Sequence, residues 1–214
     1  MSKRGMEVQA SPIRKLVPYA EEAKKRGITV YHLNIGQPDI ETPPEFWNAV
    51  KDYSEKVLAY GHSQGLASYI AALSGYYRRC GLDIKPDHIV VTTGGSEAIV
   101  FAFLLVAEPG EKILVYEPFY TNYNGFATMA GVELVPLETK AEDGFHLPPR
   151  DIIEKAIDPD VRGIVICNPN NPTGTLFTRE EIEMVAGIAR EHGLYVLSDE
   201  VYREFIYEGE HTSI

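Results

Sequence analysis

Long apolar runs are missing from this 214-residue sequence. The longest, Ala98–Ala107, has ten residues and falls well short of the ~18–20 that a membrane span needs, so it reads as a buried helix instead. The N-terminus, Met1-Ser-Lys-Arg-Gly-Met-Glu7, has no apolar signal core, which argues against a secretory route. Cysteine is nearly absent. Cys80 and Cys167 fit no metal or redox spacing; they read as small core residues and agree with a reducing, cytoplasmic setting. Basic residues are outnumbered, 20 against 31 acidic, for a net charge of −11. That argues against nucleic acid and membrane partners, because phosphate backbones and anionic lipids need a basic face. It leaves room for a small anion held by local backbone donors. There is no P-loop, no G-x-G-x-x-G turn, no internal repeat and no low-complexity tract.

What remains is an ordinary globular composition, 44% apolar and 24% charged, enough for one large domain or two small ones. Ser11-Pro12 reads as a helix start, with Ile13, Leu16, Val17 and Ala20 at helical spacing and Gly27 as the stop. Thr42-Pro-Pro-Glu45 reads as a capping box opening a second helix, and Tyr69, Ile70, Leu73 and Tyr77 mark a third. From residue 89 the rhythm becomes α/β. Strands are predicted at 89–93, 113–116, 132–137, 163–167 and 194–198. Helices are predicted at 97–107, about 119–130, 148–157 and 178–192. The 97–107 helix is apolar on every side and should be covered all round. Short apolar strands alternating with helices predict a mainly parallel sheet covered on both faces, with ligands beyond the carboxyl ends of its strands.

Those strand ends carry unusual residues. Gly94-Gly95-Ser96-Glu97 puts glycines, a hydroxyl and a helix N-terminus together, a phosphate-sized anion site, although a tight turn alone would look the same. Tyr120, just past the next strand, could lie flat over a planar ligand or simply pack in the core. Asn168-Pro-Asn-Asn-Pro-Thr-Gly174 is a rigid turn able to aim an amide. Ser198-Asp199-Glu-Val-Tyr202 places an acid at a strand tip, costly unless paired; a protonated ring nitrogen would pair it, and a helix cap is the plainer use. Tyr202 could donate to an oxygen on the same ring. Taken together, the ends ask for a phosphate, a flat ring, a ring oxygen and a basic ring nitrogen. Pyridoxal 5′-phosphate has all four.

With Asn34-Ile-Gly-Gln-Pro-Asp39, Thr93-Gly-Gly-Ser-Glu-Ala98, Asn168–Gly174 and Ser198–Tyr202 in place, and with Ala10-Ser-Pro-Ile-Arg-Lys-Leu16 at the start, the sequence resembles the fold-type I pyridoxal-phosphate-dependent aminotransferases of the aspartate and aromatic group. The resemblance implies a three-layer α/β/α large domain with a mainly parallel sheet, incomplete here. It also implies an N-terminal arm and small-domain segment over residues 1–45 and a partial cofactor-binding large domain over 46–214. It assigns Gly95, Ser96 and Glu97 to the phosphate cup and Tyr120 to the ring face. Asn171 and Tyr202 fall to the ring 3-oxygen, and Asp199 to the pyridine nitrogen. Gly36 is assigned to the substrate carboxylate, and Tyr60 to the cofactor phosphate of the other subunit of a homodimer. Asp199 and Tyr202 count as the catalytic positions, and no metal is implied.

The implied reaction moves an amino group from an L-amino acid, aspartate or aromatic, to a 2-oxo acid in amino-acid biosynthesis. In the family a Schiff-base lysine follows the Asp-x-x-Tyr motif by some tens of residues, and Arg203–Ile214 contains none. The expectation is therefore an N-terminal fragment, inactive alone, with apolar sheet edges exposed and low stability in isolation. A lyase or decarboxylase on the same scaffold, or a non-catalytic cofactor-binding fragment, remains open. A regulator would call for a basic DNA-binding segment before residue 89, which the charge does not favour, and a nucleotide site has no motif.

Overall fold

The computed structural model describes residues 1–9 and 14–214, so the predicted start at Ser11-Pro12 and Ile13 lies outside the described residues. The chain divides into two compact units, one of Met1–Pro12 with Thr93–Ile214 and one of Ile13–Thr92. In chain order the elements are α1 (Lys3–Glu7), α2 (Val17–Lys25), α3 (Pro44–Lys51), α4 (Ala67–Arg79), α5 (Gly95–Val106), β1 (Lys112–Glu117), α6 (Asn122–Ala130), β2 (Glu133–Glu138), α7 (Arg150–Lys155), β3 (Val161–Cys167), α8 (Arg179–His192) and β4 (Tyr195–Asp199).

The larger unit is built on one four-stranded sheet in the order β2-β1-β3-β4, every pair parallel. β1 and β3 are the middle strands and are buried almost throughout. They read as unbroken apolar runs because helices cover both faces. On one face Leu114, Ile164 and Ile166 pack with Ile153 of α7 and with Ile182, Val185 and Ile188 of α8. On the other, Ile113, Val115 and Val165 pack with Phe103 of α5 and with Tyr123, Ala127 and Ala130 of α6. The result is the three-layer α/β/α arrangement. Gly163 lets β3 and β4 approach closely: a Cβ there would stand 3.0 Å from the backbone oxygen of Tyr195 on β4.

α8 has the local chemistry its sequence promises. Thr178 Oγ1 accepts from the Glu181 N–H at 3.2 Å, and Glu181 Oε2 accepts from the Thr178 N–H at 2.7 Å. Gly193 closes the helix in the left-handed region, at φ 66°.

The smaller unit holds α2, α3 and α4. Gly27 ends the α2 segment at φ 77°, as expected. Gln64 ties the unit's loops together: its amide donates to the Ile89 carbonyl at 2.7 Å and its own carbonyl accepts from the Val91 N–H at 2.8 Å. Among the described residues of this unit, only Ile70, Ser74 and Ile89 are buried.

Four expectations need correction. Residues 89–93 are not a strand among the described residues; Pro86–His88 is a 3-10 turn, and the Val91 N–H of the segment after it goes to the Gln64 carbonyl. Thr42 does not cap α3, because Pro43 takes the cap position and Pro44 the first helical one, where proline's missing N–H costs nothing. α5 is not covered all round: Phe103 is fully buried, but Leu105 is 83% exposed, since only one side of the helix meets the sheet. Cys80 is exposed at the end of α4, whereas Cys167 is buried. α1 was not anticipated; it packs on α6, where Arg4 Nη1 donates to the Met129 carbonyl at 3.3 Å. Among the described residues no helix is long and apolar enough to cross a membrane.

Candidate functional site

Parallel strands all deliver their carboxyl ends to one edge of the sheet, and the loops that leave that edge surround a cavity of about 200 Å³. α5 contributes Gly95, Ser96 and Ile99 from its first turns. The loop after β1 contributes Tyr120, β3 and the turn after it contribute Cys167 and Asn171, and the end of β4 contributes Asp199, Val201 and Tyr202. The structure thus brings six sequence-predicted residues to one cavity: Gly95, Ser96, Tyr120, Asn171, Asp199 and Tyr202.

The α5 end is open to an incoming group. Gly94 precedes the helix at φ 140°, and a Cβ built on Gly94 or Gly95 would meet nothing within 4 Å. The first N–H groups of a helix have no carbonyl partner inside it, so Gly95 and Ser96 face this space with amide donors and a partial positive charge. Glu97 behaves differently from its neighbours. Its carboxylate turns back to accept from the Thr93 N–H at 2.7 Å and does not line the cavity. That bond stiffens the loop entering α5 and turns the carboxylate away from the cavity.

Across the cavity, Asp199 is half-buried at the tip of β4. Its Oδ2 accepts from the Tyr123 hydroxyl at 2.6 Å, and its Oδ1 accepts from the Val201 N–H at 3.2 Å. Its main-chain carbonyl accepts from the Asn168 N–H at 3.0 Å, which registers the tip of β4 against the end of β3. Asn171 Nδ2 and Tyr202 Oη stand 3.5 Å apart, two donors converging on one place. The turn that carries Asn171 is fixed from below. Asn168 is buried; its Oδ1 accepts from the Phe177 N–H at 3.0 Å and its Nδ2 donates to the Thr212 carbonyl at 3.3 Å. Asn170 Nδ2 donates to the Pro118 carbonyl at 3.2 Å, joining this turn to the loop that carries Tyr120. The Tyr120 ring meets Tyr123 edge-on, at 5.4 Å between centroids, and its hydroxyl accepts from Asn122 Nδ2 at 2.7 Å.

Burial and the nearby Asp199 charge push the Cys167 thiol up to about 11, so it stays protonated at neutral pH. Burial, with Cys167 and Asp199 beside it, likewise pushes the Tyr123 phenol above its ordinary value. Gly36 and Tyr60 belong to the smaller unit, where both are exposed. Sequence reasoning missed Tyr123, Cys167, Ile99 and Val201. Tyr123 follows Tyr120 by three residues at a helix start, a spacing that brings side chains together. Cys167 is the last residue of its strand, directly ahead of the asparagine turn.

Comparison with known proteins places this chain in a family. Residues 28–214 match the family described as aminotransferase class I and II. The aspartate/prephenate aminotransferase of Thermus thermophilus is 33% identical over 219 aligned residues, covering all of this chain and 56% of that protein. The aspartate aminotransferase of Thermotoga maritima is 31% identical, with all of this chain and 57% of that protein covered. Among solved structures, an alanine aminotransferase from Pyrococcus furiosus superposes with a TM-score of 0.91 at 37% identity, covering all of this chain and 55% of the other. The T. thermophilus aspartate aminotransferase with maleate also gives 0.91, at 32% identity, with 56% of its chain covered. The chain spans about half the length of the curated relatives it matches.

Proposed function

The chain belongs to the aminotransferase class I and II family, and we propose from that premise that it supplies the cofactor cavity of an enzyme that transfers an amino group from an L-amino acid of the aspartate or aromatic class to a 2-oxo acid. The family is pyridoxal-phosphate dependent. The residues present fit that group. An open glycine cradle at a helix N-terminus suits a phosphate, and a carboxylate across the cavity suits a protonated ring nitrogen. The observation that carries the reading is this convergence of Ser96, Tyr120, Asn171, Asp199 and Tyr202 on one cavity at the carboxyl edge of a parallel sheet.

Each residue then has a physical task. Gly95 and Ser96 hold the phosphate with amide and hydroxyl donors, aided by the α5 dipole. Glu97 keeps the entering loop in shape through Thr93. Tyr120 offers a ring face. Asn171 and Tyr202 donate to the ring oxygen. Asp199, as a carboxylate, holds a proton on the ring nitrogen. Pyridoxal phosphate, when bound, supplies an electron sink for the pair released as the substrate Cα loses its proton. For Gly36, in the smaller unit, the family resemblance supplies the proposed role, backbone approach to the substrate carboxylate.

The same reading makes the enzyme a cytoplasmic homodimer, in which Tyr60 reaches the cofactor phosphate of the partner subunit. Two features support the dimer. Tyr60 is fully exposed, and the smaller unit leaves Leu33, Val57 and Leu58 largely in water and Trp47 half so. A unit with so little internal burial gains by covering that apolar surface with a second copy.

The test is calorimetric titration with pyridoxamine 5′-phosphate, which has the phosphate, ring oxygen and ring nitrogen but no aldehyde to react with stray lysines. Saturable binding is expected. Ser96→Ala and Asp199→Asn should each weaken it about tenfold, the size of one charge-assisted hydrogen bond. No saturation up to about 1 mM, or affinities unmoved by both substitutions, would overturn the proposal.

A further inference from the structure

Tyr123 does not line the cavity, yet its hydroxyl makes the shortest side-chain contact to the acid at the cavity wall, 2.6 Å to Asp199 Oδ2. We propose that Tyr123 is a positioning residue for Asp199: its buried hydroxyl holds the carboxylate turned toward the ring nitrogen that the cavity would receive. The inference rests on the function proposed above and adds to it a residue that no motif assigned.

Three observations carry it. The tyrosine is itself immobilised. It is 1% exposed, its ring is stacked on Phe119 at 6.3 Å and 8° between planes, and it meets Tyr120 edge-on at 5.4 Å. A side chain so packed holds its hydroxyl at one point, and whatever it bonds is held there too. The direction of the bond is also settled. Burial and the neighbouring Cys167 and Asp199 raise the phenol above its ordinary value, so it keeps its proton at neutral pH and acts as the donor. Finally, the carboxylate has few other supports. Among the described residues Oδ1 accepts only the Val201 N–H, and Oδ2 accepts only the Tyr123 hydroxyl. A half-buried carboxylate short of donors swings away to find water. With one donor on each oxygen, its remaining lone pairs are free for a cation in the cavity.

Tyr123 also touches Tyr120, so a packing role must be separated from an electrostatic one. The experiment titrates the wild-type chain and Tyr123→Phe with two ligands. One is pyridoxamine 5′-phosphate; the other is its 1-deaza analogue, in which C–H replaces the ring nitrogen. Both stack and both carry the phosphate, but only the first can use Asp199. Tyr123→Phe should weaken the pyridine about tenfold and leave the deaza compound within about twofold. Equal weakening of both, or of neither, overturns the role of Tyr123.

A wild-type chain that binds neither, or does not tell them apart, overturns the site reading and this inference with it. If Tyr123→Phe fails to fold by circular dichroism, the wild type still decides. The Tyr123 hydroxyl proton, followed by NMR, should shift when the pyridine binds and hold still with the deaza compound. The same response to both would refute the proposal.

Discussion

Replacing Glu181 by alanine tests how the layer beneath the site is held. Glu181 is the N3 residue of α8, and its carboxylate serves three groups. Oε2 accepts from the Thr178 N–H at 2.7 Å and meets His146 Nδ1 at 2.9 Å, while Oε1 accepts from the Leu147 N–H at 2.6 Å. Losing the capping box costs about 1 kcal/mol. Leaving the half-buried Leu147 N–H without a partner costs about 1–3 kcal/mol. The His146 pair adds under about 1 kcal/mol, because that ring is largely in water. The terms share one side chain and do not add fully, so about 3 kcal/mol is expected. For a chain of this length that lowers Tm by about 6–12 °C. Thermal unfolding by circular dichroism reads it, and amide exchange should report faster loss of protection at Leu147. Glu180→Ala, one residue earlier and exposed, should cost under about 1 kcal/mol. A Glu181→Ala Tm within about 2 °C of wild type, with Leu147 still protected, would refute the account of this junction.

Two further predictions concern the sheet and its pH response. Gly163→Ala should destabilise by about 1–3 kcal/mol, because its Cβ would stand 3.0 Å from the Tyr195 carbonyl oxygen and push β4 away from β3. Gly187→Ala, in the middle of α8 with only the far end of Arg150 within 4 Å, should instead stabilise by up to about 1 kcal/mol; urea unfolding of both variants decides, and equal midpoints would refute it. At high pH the larger unit should lose stability. The Cys167 thiol is raised from 9.0 to about 11 by burial, with Asp199 adding to it, and burial also raises Tyr116 and Tyr123. A group whose folded pKa is raised binds its proton more tightly when folded. Its stabilisation is complete below the unfolded value and is lost as pH climbs through the folded one. For Cys167 that window runs from pH 9.0 to about 11 and is worth about 3 kcal/mol. Urea midpoints that stay flat from about pH 8 to 10.5 in the wild type, or that fall as steeply in Cys167→Ala, would contradict it.

The parts of this molecule that were legible in the sequence are those whose partners lie close by or follow a repeating rule. The apolar runs at β1 and β3 read as strands of a mainly parallel sheet, and they stand at its middle with helices on both faces. The capping box at Thr178 and Glu181 and the stop at Gly193 are local chemistry and stand where they were expected. The strand-end rule then directed attention to Tyr120, Asn171 and Asp199 without any knowledge of their distances; Ser96 was reached through an expected strand at 89–93 that does not form, and its place rests on the glycines and the helix start. Tyr123 was illegible for a different reason. It reads as an ordinary apolar position of α6, and only the three-dimensional meeting of α6 with the tip of β4 turns its hydroxyl into the partner of an acid 76 positions away.

Residues 89–93 show where local reading stops. Ile89-Val-Val-Thr-Thr93 has as strong a β preference as any segment in the chain. A strand, however, is a pairing, and its stability comes from a ladder and from neighbours on its faces. Among the described residues this segment has no ladder. Its Val91 N–H goes to Gln64 and its Ile89 carbonyl receives the Gln64 amide. Val90 is left 63% exposed. The same reasoning covers α5, whose sequence is apolar on all sides but whose Leu104 and Leu105 face water. Apolar periodicity states what a segment would bury if surroundings were supplied. It does not state that they are. Val90 and Leu105 therefore stand in water, and any polypeptide that covered either side chain should slow amide exchange there measurably.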